Sequence, residues 1–427
     1  YLNFYAWDYK KKINRLKRLK IPFKKLYLRL MNLIEFFEEN YPKIKVEGFD
    51  SKFLPHTLLK THLDCNFSQR ELLGHSFLGN DIYLLKIGCG SKKILVWSQM
   101  HGNESTGTKA MLDVFEFLKL GHKISQNLTE KLSLYFIPML NPDGAERYMR
   151  RNSCGIDLNR DFVKEASVEI KLLKKAVYEL RPDFLFNLHD QRTIFNVGGT
   201  PRPATLSLLA PSPDKSRSVT PERKQSMEVI AYIYNRLQSI LPGHIARFSD
   251  EFYPTSTGDN FMLEGFANIL FEAGHYPNDY ERKHVRRFNA LALLLAMEKI
   301  ADDKESNAEV YVKIPENDKK SLDVLLRNVL LKSENAESLI DFGIYFEEKL
   351  NQESGQLEWF SKIEEIGDLS AYYGHLEIDM NGKEYCGHSS ILPESGQLAD
   401  FSVGDIHFDQ GRFCNKMNSG ASKTISH

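Results

Sequence analysis

The 427-residue sequence predicts an α/β fold, a mixed and largely parallel twisted sheet flanked by helices over residues 72–302, with a small β-rich C-terminal domain after it. Three observations carry this. Short apolar runs of strand length alternate with longer amphipathic stretches, the pattern of a sheet whose crossovers are helices. The polar tract 301–309 (ADDKESNAE) ends that alternation and supplies a linker at 303–309. Past it the helical spacing gives way to shorter, strand-like runs.

In chain order, Lys93–Ser98 (KILVWS) reads as a buried strand, and Glu104–Leu120 as a helix with Met111, Val114, Phe115 and Leu118 on its apolar stripe. Leu132–Pro138 is a second strand. A helix around Ser167–Leu180 stops at Arg181-Pro182, because the residue before proline disfavours the helical region. Phe184–Leu188 is a third strand, and the Pro/Gly/Ser-rich stretch Gly198–Asp214 reads as a long ordered loop near a cleft. Pro221–Leu241 opens on proline and ends before Pro242-Gly243, as a long helix does. Ala267–Glu272 is a strand and Glu281–Ile300 the last helix. In the C-terminal part, residues 310–427, Val310–Ile314, Phe342–Phe346 and Leu357–Ile363 read as strands and Ser321–Leu331 as a helix. Met380-Asn381-Gly382-Lys383 reads as the type I′ turn of a hairpin.

Composition narrows the function classes. With 42% hydrophobic, 11% aromatic and 26% charged residues, the chain is neither low-complexity nor disordered. Its longest apolar run, Ala290–Met297, falls far short of the ~20 residues a bilayer span needs. Cys65, Cys89, Cys154, Cys386 and Cys414 are odd in number and lack CxxC spacing, so neither a disulfide framework nor a thiolate zinc site is expected. Neither nucleic acid nor membrane is an expected partner, and the absence of a signal-peptide pattern leads to a cytoplasmic expectation.

The net charge of -1 is unevenly spread. Residues 1–30 hold ten basic residues and one acid, in a Lys/Asn/Ile/Phe/Tyr vocabulary typical of translated AT-rich non-coding DNA. The expectation is a natural start at Met31, with 1–30 as upstream sequence or a basic arm and 31–71 as a helical or extended N-terminal segment. The remaining chain then has 46 basic and 56 acidic residues, a net charge of about -10.

Chemistry gathers at three strand ends. They run into Gln99-Met100-His101-Gly102-Asn103-Glu104, into Asn187-Leu188-His189-Asp190, and into Phe271-Glu272-Ala273-Gly274-His275. In open α/β sheets such ends converge on one crevice. His101 and Glu104, three residues apart at a strand-to-helix junction, can face one point. With His189 they make the His₂Glu set of a catalytic zinc ion that keeps one open position. His244, His275 and His284 read as structural or surface histidines.

The segment 141–162, NPDGAERYMRRNSCGIDLNRDF, completes a series: HGNE (101–104), NPDG (141–144), RRN..GIDLNRDF (150–162), NLHD (187–190) and ILFEAGH (269–275). Five such pieces in this order resemble the zinc metallocarboxypeptidases of the carboxypeptidase A type, over about Leu72 to Ala301. The resemblance implies one Zn²⁺ per chain on His101, Glu104 and His189, with Asp157 orienting the first histidine. It implies Glu272 as general base and acid, and Arg150 as the group that polarises the scissile carbonyl, with Arg151 one residue away. Asn159 and Arg160 would clamp the substrate's terminal carboxylate. Tyr253, nineteen residues ahead of Glu272, is the candidate for the family's mobile-loop tyrosine. Asp259 lies where side-chain preference is set, and an acid there would favour a basic side chain.

The implied activity is hydrolysis of the C-terminal amide bond of a peptide bearing a free carboxylate. Its rivals are a zinc amidohydrolase acting on N-acyl amino acids or cell-wall peptides, and a non-catalytic binding protein on the same fold.

Overall fold

The computed structural model describes residues 32–390 and 392–414. The expectations for residues 1–30 and for a start at Met31 lie outside the described residues. No described helix is long and apolar enough to cross a membrane.

Asn32 caps the helix Leu33–Ile44. Its side chain accepts the Glu35 amide at 3.1 Å while Glu35 returns the bond to the Asn32 amide at 3.2 Å, a reciprocal capping box. A second helix, His56–Asn66, follows. Between them the chain is fixed by a buried pair: Arg286 meets Asp113 at 2.6 and 2.8 Å and also binds the carbonyls of Val46 and Phe49. The Val46 amide donates to the same Asp113 at 2.8 Å. Two buried charges are tolerable here because each is met by several partners.

The main sheet is built from β1 (Arg70–His75), β2 (Asp81–Ile87), β3 (Lys92–Trp97), β4 (Leu132–Ile137), β5 (Phe184–Asp190), β7 (Leu206–Leu209), β8 (Ile245–Arg247) and β9 (Ala267–Ala273); the two-residue β6 (Asn196–Val197) lies outside it. Its order is β1-β2-β4-β3-β5-β9-β7-β8. The central run β4-β3-β5-β9 is parallel, whereas β1–β2, β2–β4 and β7–β9 are antiparallel. Alternation along the strands feeds two cores. Ile94, Val96, Phe186, Leu188 and Phe271 pack with the helices Thr106–Leu118, Pro221–Leu237 and Lys283–Asp302. Leu95, Trp97 and Leu185 pack on the other face with the helix Val168–Leu180. Both faces are covered, which is why these strands read as continuous apolar runs.

The expected loop Gly198–Asp214 is corrected in part: Leu206–Leu209 is a wholly buried strand paired with β9. Proline and glycine at its flanks hid a four-residue strand too short to show a period.

The C-terminal β region begins with β10 (Asn317–Asp318), which pairs with β6. Then β11 (Ser321–Lys332), β12 (Glu337–Leu350), β13 (Leu357–Gly367) and β14 (Tyr373–Asp379) form a sheet of order β13-β12-β11-β14. Finally β15 (Tyr385–Gly387), β16 (Phe401–Val403), β17 (Ile406–Asp409) and β18 (Arg412–Phe413) form a second sheet in sequence order. Phe342, Ile344 and Phe346 of the first pack with Phe401, Val403 and Phe408 of the second.

Three expectations fail in this part of the chain. Ser321–Leu331 is a strand, not a helix. Its helix-like spacing of Leu322, Leu325, Leu326 and Val329 arises because both faces are buried and because the register shifts between Leu326 and Val329, where Asn328 has φ +53°. Val310–Ile314 is not a strand: Glu309–Lys313 is a short helix that inserts Tyr311 into the main core and leaves Val312 exposed. At Met380–Lys383 the turn has positive φ at both Asn381 and Gly382, as type I′ requires, and the Lys383 amide donates to the Met380 carbonyl at 3.0 Å. It does not make a hairpin, because it joins β14 to β15, which lie in different sheets.

Candidate active site

β3, β5 and β9 are neighbours, and their carboxyl ends deliver the three polar clusters to one place. His189 of β5 is in register with Glu272 of β9, so these side chains share a face at a spacing set by the sheet. His101 arrives through a tight turn. Gly102 packs so closely on the next motif that a Cβ there would sit 2.1 Å from the Gly144 carbonyl carbon. Asn141 caps the helix Pro142–Glu146 by accepting the Gly144 amide at 2.9 Å, and donates at 3.4 Å to the carbonyls of Met100 and Arg150. The motifs HGNE and NPDG are therefore two halves of one backbone junction.

At its centre His101, Glu104 and His189 are buried, and one ligand atom from each lies within 4.8 Å of the others. The two Nδ1 atoms are 3.1 Å apart; Glu104 Oε1 is 2.9 Å from His101 Nδ1 and Oε2 is 2.8 Å from His189 Nδ1. Arg150 Nη1 reaches both His101 Nδ1 and Glu104 Oε1 at 3.1 Å. Because a guanidinium only donates, His101 Nδ1 is an acceptor, and the ring proton belongs on Nε2, which faces Asp157 Oδ1 at 3.1 Å. Two imidazole nitrogens and a carboxylate turned toward one another, away from solvent, fit a divalent cation of zinc's type.

Burial would raise the Glu104 carboxyl, but the charges and hydrogen bonds of His101 and His189 hold it well below the usual range. Asp157 is likewise held low against its burial, by the His101 bond and by the charges of His101, Arg150 and Arg160. Glu272 goes the other way. Burial, then the nearby charges of Glu104 and Asp190, push it well above the ordinary carboxylate range, with Arg150 and Arg282 opposing.

Arg150 turns into the site, with Nε on Asp157 Oδ2 at 3.1 Å, whereas Arg151 bonds the Gly155 carbonyl on the surface. Asn159 and Arg160 follow Asp157 in a single turn, Leu158–Arg160. Asn159 Oδ1 accepts the Thr257 amide at 3.0 Å, and the exposed Arg160 guanidinium stacks on the half-exposed ring of Tyr253 at 4.1 Å. Asp259 is buried in the first turn of the helix Thr257–Leu263 and accepts from Ser256 Oγ at 2.8 Å and the Tyr253 amide at 3.0 Å. Its carboxylate thus holds the segment that carries Tyr253, in addition to lining the cleft. All ten residues singled out from the sequence fall on this junction, and nine of them, Asp157 aside, line one cavity of about 840 Å³. His275 is buried against Tyr280 and His375, and His244 bonds the Pro203 carbonyl, so both are structural; His284 is exposed.

Several cavity residues escaped the sequence reading. Arg282, at φ +57°, bonds the carbonyls of Ala273 and Gln191 and pairs with Asp190 at 3.4 Å, tying the ends of β9 and β5 together. Lys52, Tyr148, Arg192, Tyr345 and Glu348 also face the cavity. None belongs to a motif, and only tertiary contact gives them meaning.

Residues 62–178 match the zinc carboxypeptidase family. This segment holds His101, Glu104, Arg150, Asp157, Asn159 and Arg160; His189 and Glu272 lie beyond it. Carboxypeptidase 2 of Trichophyton equinum is 31% identical over 150 residues, 34% of this chain and 28% of that protein. Mouse cytosolic carboxypeptidase 6 is 28% identical over 160 residues, 33% of this chain and 29% of that one. The aligned part thus spans less than a third of either relative. Among solved structures, a metallo-carboxypeptidase from Burkholderia cenocepacia aligns with 59% of this chain and 70% of its own, at 18% identity and TM-score 0.46. Thrombin-activatable fibrinolysis inhibitor aligns with 64% and 82%, at 14% identity and TM-score 0.49.

Proposed function

We propose, from the match of residues 62–178 to the zinc carboxypeptidase family, that this protein is a metallocarboxypeptidase that hydrolyses the C-terminal amide bond of peptides. The observation that carries this reading is the buried convergence of His101, Glu104 and His189, with Glu272 in register beside His189. These three residues would hold one zinc ion, and Asp157 would orient His101. Zinc bound there supplies activation of a water molecule and polarisation of the scissile carbonyl.

The remaining work falls to the chain. Arg160, with Asn159 beside it, offers the substrate carboxylate a planar pair of donors, and Tyr253 stacked on the guanidinium keeps that fork oriented. Arg150, ten residues earlier in the chain and facing His101 and Glu104, would supply a positive charge where the carbonyl oxygen becomes negative. Glu272, in register with His189 and lining the same cavity, would accept a proton from water and deliver it to the leaving amine. Asp259 would act on specificity directly from the cleft and through its grip on the Tyr253 segment.

Metal analysis of the purified chain should give about one zinc per chain. Peptides with a free C-terminus should be cleaved, and their C-terminally amidated counterparts should be poor substrates, because the amide leaves Arg160 without its charged partner. Equal cleavage of the two would remove the clamp and with it the carboxypeptidase reading.

A further inference from the structure

The cavity does not end at the catalytic cluster. Its lining also includes the Arg160–Tyr253–Asp259 group and residues of the C-terminal β region. β12 reaches it in an unusual way. Its pairing with β11 stops at Ile344, and the next inward amide, that of Phe346, donates at 2.8 Å to the Asp323 side chain instead. The continuation Tyr345–Leu350 keeps only β13 as a partner and lines the cleft with Tyr345 and Glu348.

Two contacts tie this strand to the catalytic unit. Glu348 takes Lys52 on one oxygen and the Tyr148 hydroxyl on the other. Lys52 is itself built in: its amide donates to Glu281 at 2.8 Å, and its carbonyl accepts from Ser105, the residue after Glu104. The Arg192 guanidinium, two residues past Asp190, stands over the Tyr345 ring at 5.3 Å. Further back, Asp323 accepts from Thr193 at 3.0 Å and Tyr280 at 2.9 Å, so the strand is anchored and not a loosely resting neighbour.

Resting on the carboxypeptidase reading, the direction of the substrate follows. With its terminal carboxylate at Arg160 and its scissile bond at the catalytic cluster, a peptide lays its upstream residues along the rest of the cavity wall, to which β12 contributes the consecutive residues Tyr345, Phe346, Glu347 and Glu348. We propose that β12 forms the subsite for the peptide upstream of the scissile bond, with Tyr345 and Arg192 as its contact surface and Glu348 as the positioning residue that holds Lys52 and Tyr148 at its base. The substrate class is then a peptide of several residues, not an N-acylated single amino acid. The cavity volume agrees, since about 840 Å³ lies toward the upper part of the ~300–1,000 Å³ range of ligand clefts.

The test uses the zinc-loaded full chain and a series of C-terminally free peptides with one common C-terminal residue, from an N-blocked dipeptide to a pentapeptide. In the wild type, kcat/KM should rise with length. Tyr345→Ala should lower it by about three- to tenfold on the pentapeptide, mainly through KM, with a smaller loss on the dipeptide. Tyr345→Phe, which keeps the ring, should restore the length dependence. Glu348→Gln should flatten the length dependence while leaving zinc content at the wild-type level. Losses equal at every length, or none, would overturn the subsite. Should Tyr345→Ala fail to fold, Arg192→Ala probes the same wall with the same two outcomes. Calorimetry of pentapeptide and dipeptide binding to Glu272→Gln separates the two ideas. No hydrolysis of any member by the wild type would sink the carboxypeptidase reading, while equal affinity for both peptides would sink the subsite.

Discussion

The α/β region and the C-terminal β region meet at the same cavity, but they place their side chains there by different means. In the first, His189 and Glu272 stand on adjacent parallel strands in register, so backbone hydrogen bonds fix their spacing. In the second, Tyr345 and Glu348 come from a stretch of β12 that has lost one strand partner and is held by side chains such as Asp323, Lys52 and Tyr148. Backbone registers tolerate substitution of what they carry, whereas side-chain anchors do not. Changes at His189 and Glu272 should therefore alter activity without unfolding the site, and changes in the wall should alter which substrates fit.

The largest effect on this view belongs to Glu272→Gln. It should cut kcat by roughly 10²- to 10⁴-fold while zinc content stays near one per chain, read by steady-state kinetics and metal analysis on the same preparation. Activity within a few-fold of the wild type would show that Glu272 is not the base.

Next in size is a change at the heart of the β region. Phe401, fully buried, meets Phe342, Tyr385 and Phe408 at ring distances of 5.0–5.5 Å. Phe401→Ala should cost about 3–5 kcal/mol in denaturant unfolding. Because the wall depends on this core, the longest peptides should lose turnover at denaturant concentrations where the shortest are still cleaved. Parallel loss for both would mean that the two regions unfold as one.

Asp157→Asn sharpens the other side of the comparison. The uncharged amide is a weaker acceptor for the His101 Nε2 proton, so zinc affinity should fall by about 10- to 100-fold, measured by chelator competition. An unchanged affinity would detach Asp157 from the ligand set.

The smallest effect concerns the buried seam between the regions. Burial, joined by the charges of His375, Arg282 and Lys52, holds His275 well below its ordinary value near 6.5, with Tyr280 against the same ring. The unfolded chain takes up a proton as pH falls through about 6.5 and the native chain does not. This histidine's contribution is therefore intact above that pH and is lost progressively below it, by at most about 1.4 kcal/mol per pH unit. In His275→Asn the dependence of Tm on pH between 7 and 5 should be shallower; an unaltered slope would remove His275 from the seam's titration.

The two regions also differed in how far they could be read in advance. HGNE, NPDG, DLNR and NLHD are compact because each is a strand end or tight turn where one glycine, cap or ligand must sit at a fixed offset. His101, Glu104 and His189 could be picked out without coordinates for that reason, and Glu272 through the order in which ILFEAGH follows the other motifs. Leu322, Leu325, Leu326 and Val329 misled because a strand buried on both faces and broken by a register shift mimics helical spacing. At Asn381-Gly382 the backbone conformation was legible and the pairing was not, since positive φ is a local property while strand partnership is a distant one.

By itself the sequence determined the α/β class and the three strand ends that carry His101, His189 and Glu272, because periodicity and turn chemistry act over a few neighbouring residues. Only the tertiary structure decided that Arg150 and not Arg151 turns inward, that Arg282 laces β5 to β9, and that Glu348 meets Lys52 across 296 positions of chain. Such meetings leave no local trace: a charged side chain far from its partner in sequence looks like any solvated one until the packing of two regions removes the water between them.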